Sequence, residues 1–218
     1  VQVLEKGPLR LVIGFEWRYG DSFIKQLMTV YKNNRRIDFK TYIDWHEQQQ
    51  LLKVAFPVQI RATEATYDIQ FGNVKRPTHW NTSWDQAKFE TVGHQWVDLS
   101  ETNYGVSLLN DCKYGHDIKD HVIRLTLLKS GKYPDPMADQ GEHTFTYSLL
   151  PHKGSWIDGK TVQEAWKLNN PLTYSFGTGK DYKSISLFRV STDNIMIDAV
   201  KKAEDDNKIV LRVHEFTG

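Results

Sequence analysis

The sequence holds a single cysteine, Cys112, and that scarcity removes two architectures at once. No internal disulfide framework can form, and a thiolate-rich zinc site is excluded. Such usage suits a reducing compartment. Long apolar runs are missing too. Nothing approaches the ~20 residues a helix needs to cross a bilayer, so no membrane partner is expected. Neither sign of charge is in excess: 28 Lys and Arg stand against 27 Asp and Glu, a net +1. A chain that follows a phosphate backbone would carry a basic stripe, so nucleic acid is not an expected partner. A glycine-rich phosphate loop, a G-x-S-x-G elbow and an H-E-x-x-H pair are all absent. There is no signal peptide. The chain opens at Val1 within a strand-like run and stops just after another, "IVLRVHEFTG". It reads as a piece of a longer protein whose targeting signals would lie elsewhere.

Aromatic residues are plentiful, at 12% with seven Trp, ten Tyr and ten Phe. They favour pleated, half-buried surfaces and point to strands. Leu9, Leu11, Ile13, Phe15, Trp17 and Tyr19 alternate with Arg10, Glu16 and Arg18, the period of two of a one-sided strand. Gly20-Asp21 supplies a turn. A second alternation runs from Ile37 to Trp45 and a third from Leu52 to Ile60, where Pro57 marks an edge or a bulge. Further strand-like runs fall at 65–71, 88–98, 104–109, 121–129 and 143–150. This density of strands and turns predicts a large antiparallel sandwich. One short helix is expected near 161–169, with Thr161 and Glu164 at capping-box spacing and Asn169-Asn170-Pro171 as its stop. A polar stretch, 172–184, reads as a linker, and "SISLFRV" after it as a strand. Residues 195–214 fit either a helix or a hairpin turning at "EDDNK", and the hairpin is favoured.

Few patterns carry chemistry. His116 and His121 lie five apart in "GHDIKDH" and read as solvated loop histidines. Asn81-Thr82-Ser83 is a formal sequon that matters only in a secreted chain. Two polar stretches interrupt strands without looking like plain turns: "NDCKYGHD" at 110–117 and "YPDPMADQGEH" at 133–143. The second is stiffened by two prolines and ends in a group of acids, an amide and an imidazole. Paired carboxylates can perform glycosidic acid–base work. A rigid surface loop with solvated acids is the alternative.

Several phrases are recognisable as a set. "LLKVAFPVQIRATEATYDIQFGNVKRPTHWNTSWDQAKFE", "HQWVDLSETNYGVSLLNDCKYGHDIKD", "YPDPMADQGEHTFTYSLLPHKGSW" and "VQEAWKLNNPL" together resemble the C-terminal β region of glycoside hydrolase family 38 α-mannosidases, nearest the cytosolic and bacterial type. The likeness runs from Arg35 to Leu172 almost unbroken. It is looser at both ends, although "AVKKAEDDNKIVLRVHE" resembles the start of that family's terminal β domain.

The resemblance implies a mainly β fold: a large antiparallel supersandwich like that of galactose mutarotase over 1–172. A linker and the beginning of a small terminal β domain would follow over 173–218. It implies a cytoplasmic enzyme that removes α-linked mannose with retention, using zinc and an aspartate nucleophile that lie upstream of Val1. This segment would itself be non-catalytic and bind no metal. Its partners would be the enzyme's own catalytic domain, an α-mannoside oligosaccharide and, in an assembly, further copies as a homo-oligomer. "RPTHWNTSWDQAKFE" would be a structural corner closed by Pro77 and anchored by Trp80 and Trp84, and His79 would hold no zinc. The 133–143 excursion would project towards the catalytic domain, where Asp139, Gln140, Glu142 and His143 would contact sugar hydroxyls or brace the wall of the site. Lys129 stands where relatives usually carry Arg, and Gly131 where they often carry Pro. Lysine lacks arginine's planar fork, so a carboxylate pairing that needs the fork is not implied. Two readings from other classes compete: a free-standing carbohydrate-binding module, and a structural sandwich that mediates subunit contacts.

Overall fold

The computed structural model describes residues 1–177 and 184–218. In chain order the strands are β1 (Gln2–Lys6), β2 (Arg10–Tyr19), β3 (Ser22–Tyr31), β4 (Ile37–Trp45), β5 (Gln50–Pro57), β6 (Glu64–Ile69) and β7 (Gly72–Pro77). After helix α1 (Ser83–Ala87) come β8 (Thr91–Val92), β9 (Trp96–Glu101), β10 (Tyr104–Asn110), β11 (Gly115–Lys119), β12 (Val122–Ser130) and β13 (Gly141–Lys153). Helix α2 (Thr161–Asn169) and the strands β14 (Ile195–Lys202) and β15 (Ile209–Glu215) complete the fold.

Nine strands form one antiparallel sheet in the order β1-β2-β3-β4-β13-β10-β9-β6-β7. Four more, β5-β12-β11-β8, form a second sheet that covers the middle of the first. The alternation of each strand puts one set of side chains between the layers. Ile43, Val97, Leu99, Leu108 and Phe145 from the large sheet meet Ile118, Ile123, Leu125 and Leu128 from the small one. Fully burying each such aliphatic side chain contributes about 1.5–3 kcal/mol, so this interior supplies the main driving force. The expected mainly β sandwich is what forms.

The outer face of the large sheet carries a third layer. Trp96, Leu109 and Leu150 point away from the main core and are covered by Trp156, Ala165 of α2 and Phe216 beyond β15. Trp96 and Trp156 stack at 4.9 Å. Thr161, Ala165 and Leu168 recur at i, i+4 and i+7, which turns one helical stripe onto the sheet. The terminal hairpin β14–β15 is antiparallel with a bulge between Ile197 and Ala199. Asn73 Nδ2 on β7 donates to the Phe216 carbonyl at 3.0 Å and fastens the hairpin's end.

Several expectations change on inspection. The run 88–98 is not one strand: a bend and the two-residue β8 precede β9. The linker expected at 172–184 falls partly outside the described residues, and "SISLFRV", where described, forms no strand. His116 is not a solvated loop residue. It sits fully buried in β11, whereas His121 is exposed at the turn into β12. Thr161 is not the cap of α2. Lys160 holds the N-cap position in the left-handed region, and the Thr161 hydroxyl is 2.6 Å from Ser107 Oγ inside the core.

The corner at 76–90 is built differently from its expectation. Trp80 and Trp84 are 49% and 78% exposed, so they do not anchor it by burial. The anchor is Thr78, which is buried and donates from Oγ1 to the Ala62 carbonyl at 2.5 Å. The stretch then closes into α1 through a capping box. Asp85 N donates to Thr82 Oγ1 at 3.2 Å, and Thr82 N returns a bond to Asp85 Oδ2 at 3.1 Å.

Candidate functional site

The four residues singled out for sugar contact lie at one end of the large sheet, where β4 finishes and β13 begins. Trp45 is the last residue of β4 and pairs with Gly141, the first of β13. Its ring is buried, donates from Nε1 to Ser130 Oγ at 3.1 Å, and stacks on the half-exposed Tyr19 at 6.2 Å. That fixes the base on which the excursion between β12 and β13 stands.

The turn between β2 and β3 supports the same rim. Gly20 has a positive φ of 55°, and a Cβ there would run into the Glu47 carboxylate. Glu47 Oε1 accepts from Asp21 N and from Ser22 Oγ, both at 3.0 Å. Ser22 Oγ in turn accepts from His46 N at 2.8 Å. Glu47 was not signalled by any motif, yet it ties two turns together.

The excursion is braced from within. Asp135 Oδ1 accepts from Met137 N at 2.9 Å. Asp139 adopts a positive φ of 55°, a conformation its short polar side chain tolerates. Its Oδ2 accepts from the backbone N–H of Lys129 at 2.7 Å. That bond is indifferent to the side chain at 129, so lysine in place of arginine does not disturb it. Gln140 Nε2 donates to the Glu47 carbonyl at 2.6 Å. His143 Nε2 donates to the Asp139 carbonyl at 3.0 Å.

Glu142 sits on the opposite face of β13 from His143 and lies across from Asp44 on β4. The Tyr42 phenol is held above its ordinary range, first by desolvation and then by its hydrogen bond to Glu142. The structure therefore joins His143 to Asp139 and ties Gln140 separately to the Glu47 carbonyl, while Glu142 stands apart with Tyr42 and Asp44. Tyr133 and Met137 form the tip and are 93% and 63% exposed, leaving an aromatic and a thioether free for contact.

A second polar cluster lies on the outer face, and no sequence spacing pointed to it. Asp98 Oδ2 accepts from Ser107 Oγ and from His152 Nε2, both at 2.8 Å, and Oδ1 accepts from Ser100. The Ser107 hydroxyl contacts the carboxylate and not the imidazole, so the trio lacks the nucleophile–base bond of a catalytic triad. It serves to fasten α2 through Thr161. Among the described residues, no group of three or more His, Cys, Asp or Glu side chains converges to hold a metal ion. The donor set needed for zinc is therefore not offered by these residues. Also among the described residues, no helix is long and apolar enough to cross a membrane.

Comparison with known proteins bears on the whole of this arrangement. The family model described as "Glycosyl hydrolases family 38 C-terminal domain" matches residues 1–137. A second, "Glycosyl hydrolases family 38 C-terminal beta sandwich domain", matches residues 194–218. Alpha-mannosidase G of Dictyostelium discoideum is 43% identical over 229 aligned positions, covering 100% of this chain and 21% of that protein. Alpha-mannosidase 2C1 of Homo sapiens is 46% identical over 186 positions, covering 84% and 18%. An alpha-mannosidase from Enterococcus faecalis V583 superposes with a TM-score of 0.78 at 23% identity, over 90% of this chain and 24% of that one, which shows a shared fold. This chain spans about a fifth of the length of the curated relatives it matches. By the extent of the family match and these identities, the chain belongs to glycosyl hydrolase family 38, in its C-terminal region.

Proposed function

We propose that this chain is the non-catalytic C-terminal β region of a longer, cytoplasmic, retaining α-mannosidase that removes terminal α-linked mannose from oligosaccharides. The observation that carries the reading is the 43% identity over the whole chain with a protein named as an α-mannosidase, of which it spans 21%. Zinc and the two catalytic carboxyl groups belong, on this reading, to the remainder of the enzyme. Retaining hydrolysis needs a pair of carboxyls roughly 5–5.5 Å apart, one as nucleophile and one as acid. In the excursion, Asp139 is already committed to a backbone N–H. Residues 1–172 form the supporting sandwich, and 173–218 form a linker and the beginning of a terminal β domain.

Two surfaces suit the supporting role. β1 and β2 extend the large sheet beyond the small one. There Phe15 and Trp17 stack at 5.6 Å with Trp17 45% exposed, an apolar ledge for the catalytic domain or for a further copy of the chain. The 133–143 excursion lends Asp139, Gln140, Glu142 and His143 to the edge of the sugar site. Of these, Glu142 has the carboxylate least engaged by backbone, and Asp139, Gln140 and His143 hold the excursion's shape.

Two measurements test the reading. The purified chain, incubated with an aryl α-mannoside, is expected to give no turnover above a buffer blank and to retain no stoichiometric zinc after dialysis. In the full-length enzyme, Asp139→Ala or His143→Ala is expected to raise KM with kcat unchanged, as loss of uniform binding requires. Losing one hydrogen bond to a charged group costs roughly 1.5–3 kcal/mol, or about 10–100-fold in kcat/KM. Turnover by the isolated chain would place the catalytic groups within it. Unchanged kinetics in both variants would remove the excursion from the sugar site.

A further inference from the structure

We propose that the cleft between the outer face of the large sheet, helix α2 and the terminal hairpin is a binding site for one neutral sugar ring or a polyol of that size. The cavity measures about 220 Å³ and draws its walls from four separate parts of the chain. The end of β6 and the turn after it supply Asp68 and Gln70, the approach to β9 supplies His94 and Gln95, and α2 supplies Trp166. His214 of β15 closes the remaining side.

The polar groups here are left free. Asp68 Oδ2 accepts from Gln95 N at 2.8 Å, and its other oxygen has no hydrogen-bond partner among the described residues. The side-chain amides of Gln70 and Gln95 and the ring nitrogens of His94 make no hydrogen bonds there either. His214 commits Nδ1 to Asp198 Oδ2 at 2.8 Å, which leaves its Nε2 unused. Burial holds the Asp68 carboxyl up at about 6, against the Gln95 N–H bond and the nearby His94 and His214. A carboxylate kept in a cleft at a cost to the fold, with no cation paired to it, is the pattern of a ligand group.

The chemistry of the walls selects the ligand. Amides and imidazoles offer donors and acceptors side by side, which matches hydroxyls, each of which is both. Phosphate and other anions are disfavoured because Asp68 and Asp198 line the cleft and no Lys or Arg does. A cationic amine would use the acceptors and leave the amide donors unmet. The cavity is smaller than the roughly 300–1,000 Å³ of drug-sized pockets, so one ring is the fitting size, with Trp166 as its apolar face. Asp68 lies on β6, three strands across the sheet from β13, so this is not the excursion at 133–143. The proposal does not depend on the α-mannosidase reading, because it rests on the cleft alone.

The test follows the indole N–H signals of the intact 218-residue chain by NMR during titration with methyl α-D-mannoside and with myo-inositol. A saturable shift at Trp166 is expected with a dissociation constant of about 1 mM, the affinity suited to a single small ring. Trp166→Leu, read at the Trp96 indole that also lines the cleft, and Asp68→Asn, read at Trp166, should each weaken binding about tenfold. Asp68→Asn carries a second readout. A carboxyl raised from 3.8 to about 6 destabilises the fold fully above pH 6 and not at all below its unfolded value, so the variant should melt higher at pH 7 and equally at pH 3. Weaker binding together with a higher melting point is the signature of a binding residue and not of a structural one. The proposal is overturned by absence of a saturable shift up to about 50 mM, by shifts that survive both variants, or by preferential binding of choline or inorganic phosphate in this cleft.

Discussion

Gly105→Ala is expected to be among the most damaging single substitutions in the chain, costing about 3–5 kcal/mol of stability, from overpacking of a filled interior together with a buried acceptor left without its donor. Gly105 lies on β10, pairs with Ser100 on β9 and with His152 on β13, and so sits at the centre of the outer-face cluster. A Cβ at this position would overlap both Ser100 Oγ and the His152 ring. The ring cannot retreat, because a Cβ at Gly159 on its other side would already lie 2.5 Å from His152 Cγ. His152 is completely buried and donates to Asp98 at 2.8 Å, so displacing it strands an acid in the interior. Ser107 donates to that acid and meets the Thr161 hydroxyl, and through it the seat of α2. Urea midpoints of Gly105→Ala, His152→Ala and the double variant measure the effect. The double variant should fall well short of the sum of the two, since one contact is removed in both. Simple additivity would mean that the glycine is tolerated for some reason other than the ring.

The parts of this fold that were legible are those where one face is buried and the other is wet. β4 alternates in burial from Thr41 to Trp45, and the hairpin β14–β15 carries polar residues at its turn, whereas β2 alternates in sequence only: Val12 is its one buried residue, and Trp17 and Tyr19 stand about half exposed. β3 alternates poorly because it meets the main core only through Ile24, and most of its residues on both faces are partly buried. β11 was obscured by its own core residue: the buried face of "GHDIK" begins with His116, so a strand reads as a polar loop. At α2 the Thr161/Glu164 spacing lies where a capping box would, but each side chain has a tertiary partner. Thr161 meets Ser107, and Glu164 meets Asn34 and Arg36. The helix was legible while its cap was not, because a local motif cannot show which long-range bond competes with it. The excursion residues Asp139, Gln140, Glu142 and His143 are singled out in the sequence by composition and family likeness alone. Their bracing bonds to Lys129 N and to the Glu47 carbonyl are main-chain contacts that carry no residue signature.

Between pH 6.5 and 4 His116 should cost this chain stability, against an opposing gain at Asp68, whose burial cost is relieved as it takes up a proton over nearly the same window. Its ring is fully buried beneath the edge of Tyr67, at 6.3 Å between centroids, and contacts the Tyr114 carbonyl through Nδ1 at 3.2 Å. Burial drives its pKa from 6.5 down to about 4; the Tyr114 carbonyl opposes this, and the cations Arg76 and Lys53 add to it. The neutral ring is therefore the native form. Above pH 6.5 the folded and unfolded chains both carry it neutral, and no cost arises. Between pH 6.5 and 4 the unfolded chain takes up a proton that the folded one refuses, so the contribution of this ring to stability falls with pH throughout that window. Below pH 4 both forms are protonated and the loss levels off at roughly 3 kcal/mol, since each tenfold fall in the ring's proton affinity costs about 1.36 kcal/mol. Nε2 has no partner in the fold, so a charged ring gains nothing there to offset its burial. His116→Gln removes the titration while keeping a polar side chain of similar reach. Its urea midpoint, measured from pH 7.5 to pH 3.5, should decline less steeply than that of the parent between pH 6.5 and 4. Parallel curves for the two proteins would show that the acid sensitivity arises at other groups and that His116 accepts its proton without disturbing the sandwich.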